Sequence, residues 1–230
     1  MMNESKGNMY PWVTHTWNAI RGRCPHDCSY CFMKLFKVGE LRLDARAIND
    51  DLGEGNIIFV GSSTDMWAEE VPREWINRVL EHCRKYSNMY LFQSKNPERF
   101  FNFIDDIPKN CIIGTTIESN RATILSKAPA PTLRFDAMQK LAEQGFKTMI
   151  SVEPVMDFDI AEMFSGLRKC NPSFISIGAD SQNHKLPEPD AHKILFLIEQ
   201  LEQAKIIVKQ KDNLKRLIKN ETTDKNKMGK

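Results

Sequence analysis

The sequence predicts an α/β fold: a partial, open TIM-like barrel of about six βα units with parallel strands. Three observations lead there. Short β-branched or aromatic runs alternate with longer helix-like segments along nearly the whole chain, the pattern of repeated βαβ units. Polar residues and glycines recur at period two near the carboxyl ends of successive strands, opposite an apolar face. The 230 residues hold six or seven units of roughly 30 residues each, fewer than the eight that close a TIM barrel.

Strands are expected at 13–17, 57–62, 89–95, 111–118, 148–154, 174–180 and 205–211. Helices are expected at 72–86, where a proline opens the first turn and Ile76, Val79 and Leu80 share a face, and at 97–104, 133–143 (closed by Gly145), 160–168 and 190–203. The period-two residues are Gln93 and Lys95; Gly114, Thr116 and Glu118; Ser151 and Glu153; Ser176, Gly178 and Asp180. Phe92, Ile113, Ile117, Val152, Ile175 and Ile177 alternate with them, with Ser94 and Thr115 as exceptions. A doubly wound sheet, covered on both faces, favours continuous apolar runs instead. Any one of these polar residues also reads as a turn initiator or helix cap; four strands in register read as a cleft.

No linker or shift in composition divides the chain, so one domain is expected over 1–212, followed by a basic, flexible tail over 213–230. From Lys205 onward nine Lys and Arg face three Asp and Glu, a local +6, which leaves −4 on the first 204 residues of a chain of net charge +2. The tail reads as a solubilising terminus or, alternatively, as a contact for nucleic acid. A 41% hydrophobic and 27% charged composition excludes disordered and collagen-like chains. Apolar runs such as 57–60 and 194–198 fall far short of the ~18–20 residues of a membrane span. The first residues have no apolar signal core, so a cytoplasmic protein without membrane contact is expected.

Six cysteines are present: Cys24, Cys28, Cys31, Cys83, Cys111 and Cys170. In a reducing compartment the clustered three read as a metal or iron-sulfur site and the isolated ones as buried hydrophobes. The cluster follows the first strand directly, at the carboxyl end, where barrel enzymes keep their chemistry. Cys-x3-Cys-x2-Cys brings three thiolates from one loop and leaves a fourth position to an outside donor. Cys111 and Cys170 are expected at the opposite end of the barrel, and Cys83 inside a helix. Three cysteines with His26 or His15 would make a zinc site; a [4Fe-4S] cluster on three thiolates, one iron open to a small molecule, accounts better for the missing ligand.

The run Cys24-x3-Cys28-x-Tyr30-Cys31, with an aromatic before the last cysteine in the loop after the first strand of a repeated βα chain, resembles the radical S-adenosylmethionine superfamily over roughly residues 10–212. Thr16-Trp17-Asn18, the turn 93–99 and Ser151-Val152-Glu153-Pro154 are similar to a family of short radical-S-adenosylmethionine-like proteins often carried by bacteriophages. The spore photoproduct lyases, which repair DNA, are a more distant likeness.

The resemblance implies that Cys24, Cys28 and Cys31 bind three irons of a [4Fe-4S] cluster and that S-adenosylmethionine chelates the fourth through its amino and carboxylate groups. An electron from a donor such as flavodoxin or ferredoxin would then cleave the sulfonium to methionine and a 5′-deoxyadenosyl radical, which abstracts hydrogen from substrate. By the same resemblance Tyr30 lies near the adenine, and Ser62, Ser63 and Asp65 near the methionine amino group, where the family usually has Gly-Gly-Glu. Thr116 and Glu118 stand at the ribose, and Glu153 is a further cofactor residue. Gln93, Lys95 and Asp180 complete a substrate or cofactor cleft. Hydroxyls and carboxylates suit a sulfonium and a ribose independently of the family; Lys95 suits an anionic group or pairs with Glu118 on the neighbouring strand.

No residue is assigned a catalytic role. His15, Trp17, Trp67 and His184 read as packing or hydrogen-bonding groups. No further cysteine is expected at the carboxyl face, which argues against a thiol hydrogen donor of the lyase kind and against auxiliary clusters. The substrate, whether small molecule, peptide or nucleic acid, is not named by the sequence. Two alternatives stand beside this reading: a nucleic-acid repair or modification enzyme of the same mechanism, and a non-enzymatic zinc or iron-sulfur binding module.

Overall fold

The structure, a computed structural model, describes residues 2–121 and 125–218. Ten strands occur among them: β1 (Met2–Glu4), β2 (His15–Trp17), β3 (Ile20–Arg21), β4 (Arg42–Leu43), β5 (Ile57–Val60), β6 (Met89–Ser94), β7 (Cys111–Thr116), β8 (Thr148–Val152), β9 (Phe174–Ile177) and β10 (Val208–Gln210). The helices are α1 (Arg73–Cys83), α2 (Pro131–Glu143), α3 (Ile160–Lys169), α4 (Ala191–Gln203) and α5 (Lys215–Ile218), with tight 3-10 turns at Phe32–Leu35, Ala47–Asn49, Pro97–Phe103 and Asp212–Leu214.

The main sheet has the order β1-β2-β5-β6-β7-β8-β9-β10. From β2 to β10 every neighbour is parallel, and β1 lies antiparallel on β2. The sheet's edges, β1 and β10, do not pair, so the barrel is open, as the sequence predicts. All seven expected parallel strands are present. All but β2 end earlier than expected: Ile117, Gly178 and Lys211 still donate to neighbouring strands, but other end residues turn their backbone to side chains. Lys95 is an example: its N–H donates to Asp65 Oδ2 at 2.8 Å. The expected helix at 97–104 is a 3-10 turn, and β1 and the β3–β4 pair were not foreseen.

Two cores follow from the alternation of side chains along the strands. On the outer face, Phe92, Ile113, Ile150, Val152, Ile175 and Ile177 pack under the helices, against residues such as Ile76, Leu80, Leu141 and Leu197. On the inner face, Leu91, Ile112, Met149 and Phe174 form a smaller core with Tyr10 and Val13. Moving toward the carboxyl ends, the inner positions become Gln93, Gly114, Ser151 and Ser176, then Lys95, Thr116, Glu153 and Gly178, with Asp180 one step beyond. The floor is greasy and the mouth polar. The two exceptions to the alternation find local partners: Ser94 Oγ donates to Asp65 Oδ2 at 2.9 Å, and Thr115 Oγ1 to the Ser94 carbonyl at 2.7 Å.

The chain between β1 and β2 enters the barrel. Ser5 N–H donates to the Thr14 carbonyl at 2.8 Å, and Tyr10 Oη donates to Gln93 Oε1 at 3.0 Å. Trp12 meets Phe174 edge-on at 5.4 Å between ring centres. At the other end, the boundary expected at 212 falls inside docked chain: Leu214 is buried, Asn213 Nδ2 donates to the Ala179 carbonyl at 2.7 Å, and Arg216 pairs with Glu188. The rest of the expected tail, 219–230, lies outside the described residues. Among those described, no helix is long and apolar enough to cross a membrane.

Candidate active site

A cavity of about 510 Å³ opens at the carboxyl ends of the strands. Cys24, Cys28 and Cys31 line it together with Tyr30, the turn from Gly61 to Asp65, Gln93, Lys95, Thr116, Glu153 and Asp180. Nearly every residue singled out in the sequence therefore reaches one space. Glu118 is the exception and lines a separate pocket of about 150 Å³ behind it.

The cysteine loop is a pair of tight turns, with Asp27 N–H donating to the Cys24 carbonyl at 3.1 Å and Cys31 N–H to the Cys28 carbonyl at 3.2 Å. Burial, with the charge of Asp65 adding to it, pushes the Cys24 thiol up to about 12. Burial likewise raises that of Cys28. Such sulfurs are held as thiolates only by a positive centre, and a coordinated metal deprotonates them outright. Among the described residues no three His, Cys, Asp or Glu side chains are grouped to hold one metal ion. A [4Fe-4S] cluster does not ask for that, since each thiolate holds a different iron. Of the two histidines considered for zinc, His15, on β2, does not line the cavity, and His26, which does, turns its Nε2 to Asp65 Oδ2 at 2.9 Å. The donor set fits a cluster better than a four-ligand zinc site.

Asp65 holds this loop to the barrel. With His26 lying against it, its carboxylate accepts from Trp67 N–H at 3.0 Å, Ser94 Oγ at 2.9 Å and Lys95 N–H at 2.8 Å. Burial would raise its carboxyl, but His26 and the two backbone donors outweigh that and hold it below the ordinary range. Asn18, directly after β2, fixes the turn beside it: its Oδ1 accepts from Ser63 N–H at 2.9 Å and its Nδ2 donates to Ser62 Oγ at 3.1 Å. Gly61 takes the left-handed φ of +82° that this turn needs.

Glu118 is saturated by protein donors. Tyr30 Oη and Lys95 Nζ both reach Oε1, and Arg134 Nη1 reaches Oε2 at 2.8 Å. Lys95 also donates to Tyr30 Oη at 2.7 Å. Burial opposes the charge on Glu118, yet Lys95 and Arg134 prevail and bring its carboxyl down to about 2. Of the two readings of Lys95, the ion pair is the one formed. Elsewhere on the wall, Gln93 Nε2 donates to Thr116 Oγ1 at 3.0 Å, and Glu153 accepts from Asn8 Nδ2 at 2.9 Å and pairs with Lys211 at 2.9 Å. Asp180 caps its own loop, accepting from Gln182 N–H at 3.0 Å and holding His184 Nδ1 at 2.8 Å.

Sequence reasoning missed Asn8, Tyr10, Phe32 and Lys211, and singled out Asn18 without giving it a role. Lys211 continues the period-two rule on the seventh parallel strand and was legible by it. Asn8 and Tyr10 precede any strand pattern and carried no signal. Trp17 and Trp67 are buried in the outer core, and Cys83, Cys111 and Cys170 are buried away from the cavity.

No protein-family model matches the chain, and no curated protein matches it in sequence. Solved structures do. A cysteine-to-serine variant of spore photoproduct lyase superposes with a TM-score of 0.64 at 13% identity, covering 90% of this chain and 79% of that one. The fold is that of spore photoproduct lyase. A lyase variant with bound AdoMet and dinucleoside spore photoproduct gives 0.59 at 13% identity over 86% of this chain and 63% of the other. SuiB of Streptococcus suis bound to S-adenosylmethionine gives 0.57 at 11% identity over 85% of this chain and 49% of SuiB. SuiB is also solved bound to its precursor peptide SuiA.

Proposed function

We propose that this chain is a radical S-adenosylmethionine enzyme, with a [4Fe-4S] cluster on Cys24, Cys28 and Cys31. One observation supports this above the rest: a Cys-x3-Cys-x2-Cys loop at the carboxyl end of an open parallel barrel faces a single cavity of about 510 Å³, on a fold shared with enzymes solved holding S-adenosylmethionine. When bound, the cluster supplies the electron that splits the sulfonium into methionine and a 5′-deoxyadenosyl radical.

The chain's own residues position and shield. Asp65 and His26 brace the cysteine loop; the turn held by Asn18 offers Ser62 and Ser63 to the polar end of the cofactor; Gln93, Thr116 and Glu153 offer acceptors to its ribose and cation. The Tyr10 and Val13 floor keeps water from the barrel interior, which protects a radical from stray hydrogen donors. Anaerobic reconstitution followed by dithionite and S-adenosylmethionine is expected to give an iron-sulfur absorption band and 5′-deoxyadenosine, both lost in Cys28→Ala. Zinc at one equivalent, with neither band nor product, would establish the binding module instead.

Repair or modification of nucleic acid by the same mechanism takes its support from the dinucleoside seated in the lyase relatives. Among the described residues the cavity wall carries no cysteine beyond the three, so a thiol hydrogen donor is not part of this reading. Duplex or single-stranded DNA that raises 5′-deoxyadenosine formation and acquires a lesion change would establish it.

A further inference from the structure

Directly after the third cysteine, the turn Phe32–Leu35 and the residue that follows bring Phe32, Leu35 and Phe36 to the surface at 47%, 66% and 59% exposure. Neither core includes them. Neighbouring exposed apolar side chains of this size on a charged chain mark a contact surface. Their mounting is firm, since Lys34 N–H donates to the Cys31 carbonyl at 2.9 Å and Phe36 N–H to the Met33 carbonyl at 3.1 Å.

The surroundings are basic. Lys34 Nζ lies 2.9 Å and Lys127 Nζ 3.8 Å from the Asp27 carboxylate. Arg23 also acts on that carboxylate, and Lys37 follows Phe36 in the chain. Three cations around one carboxylate make a local +2, with Lys37 next along the chain, on a protein whose first 204 residues sum to −4. The rim is thus opposite in sign to the body that carries it.

Resting on the cluster reading above, we infer that this face docks an acidic, low-potential one-electron carrier protein. The carrier's reduced prosthetic group gives one electron to the oxidised cluster; the carrier is oxidised by one, the cluster reduced by one, and no atom is transferred. Electron-transfer encounters bury less than about 1,200 Å², and a small apolar centre with a charged rim suits them: the rim steers the encounter and the centre releases it quickly. A duplex-DNA contact would place cations, not three large apolar side chains, at its centre. The face sits on the cysteine loop itself, so a partner seated there is beside the cluster.

The test uses the reconstituted holoenzyme with flavodoxin reduced to its hydroquinone as the carrier. Leu35→Ser/Phe36→Ser is expected to lower the second-order rate of cluster reduction at least tenfold, while dithionite-driven 5′-deoxyadenosine formation stays at the wild-type value. Lys37→Glu is expected to slow reduction at low salt and to match wild type at high salt. Should the double variant take up no iron, the charge reversal decides alone. Unchanged carrier rates in Lys37→Glu or in a folded double variant overturn the inference, as does binding of anionic vesicles or duplex DNA through these residues with carrier reduction untouched. A wild-type holoenzyme that yields no 5′-deoxyadenosine even with dithionite overturns the cluster reading itself, since dithionite needs no docking face.

Discussion

Replacing Glu118 by Gln keeps the shape of a side chain that is 4% exposed and removes its charge. Arg134, also 4% exposed, and Lys95 then lose their shared counterion, although Arg134 keeps the Pro129 and Thr116 carbonyls at 2.7 and 2.8 Å. Two routes give the magnitude. Breaking a buried ion pair by removing one partner costs about 3–5 kcal/mol. Independently, the fall of the Glu118 carboxyl from 4.5 to about 2, at about 1.4 kcal/mol per pH unit, amounts to about 3 kcal/mol. The sign follows from the direction: a carboxyl lowered on folding stabilises fully above its unfolded value of 4.5 and loses that contribution as pH falls toward 2. Urea unfolding at pH 7 is expected to place Glu118→Gln about 3 kcal/mol below wild type with an unchanged slope. The gap should narrow as pH falls from 4.5 toward 2, first because the unfolded chain takes up the proton and finally because Glu118 is protonated in the folded protein as well, where it is equivalent to Gln. A difference under about 1 kcal/mol at pH 7, or one that is the same at pH 3.5, would refute the assignment of Glu118 as the hub of a buried charge network.

Gly22 holds a left-handed φ of +112°, and a Cβ there would lie 2.1 Å from the Glu40 carbonyl oxygen. Gly22→Ala is therefore expected to cost at least about 2 kcal/mol and to lower the midpoint of thermal unfolding by about 4–8 °C; an unchanged midpoint would show that the backbone adjusts. Tyr10→Phe removes one hydrogen bond to Gln93 and should cost about 1 kcal/mol in urea, with Gln93 left to Thr116. Arg121, paired at the surface with Asp157 and Asp159, behaves differently: Arg121→Ala should change stability little at low salt and not at all in concentrated salt, where exposed pairs are screened.

The seven parallel strands and the position of the cysteine loop were legible because alternation and turn chemistry are local properties. The inner-face residues were legible for the same reason, down to which side of each strand they occupy. What they bond to was not. Asp65 reads as a cofactor residue from its place after β5 and becomes a brace because Trp67, Ser94, Lys95 and His26 all turn toward it. Glu118 reads as a ribose acceptor and is occupied by an arginine sixteen residues further on, in α2. Such pairings depend on how separate βα units pack, which no window of sequence contains. β1 escaped notice because three residues on an edge, paired only to β2, owe their conformation to the partner strand and not to their own propensity.

An open barrel lacks a wall between its first and last strands, and the loop from Ser5 to Thr14 supplies it. On one side Thr14 N–H donates to the Ile57 carbonyl of β5 at 2.9 Å, and on the other Lys211, just after β10, donates to the Asn8 carbonyl. This closure decides the electrostatics of the cavity. Lys211 spends its charge on Glu153 and Lys95 spends its own on Glu118. Along the cavity wall Lys6, Lys95 and Lys211 face Asp65, Glu153 and Asp180, three charges against three. A balanced wall has little field for a polyanion but complements a ligand that carries both signs, such as one with an ammonium, a carboxylate and a sulfonium. Binding of S-adenosylmethionine should then depend weakly on salt, whereas the carrier that meets the basic rim around Phe36 should depend on it strongly. A steep salt dependence for both would mean that the loop and its lysines do not neutralise the cavity in this way.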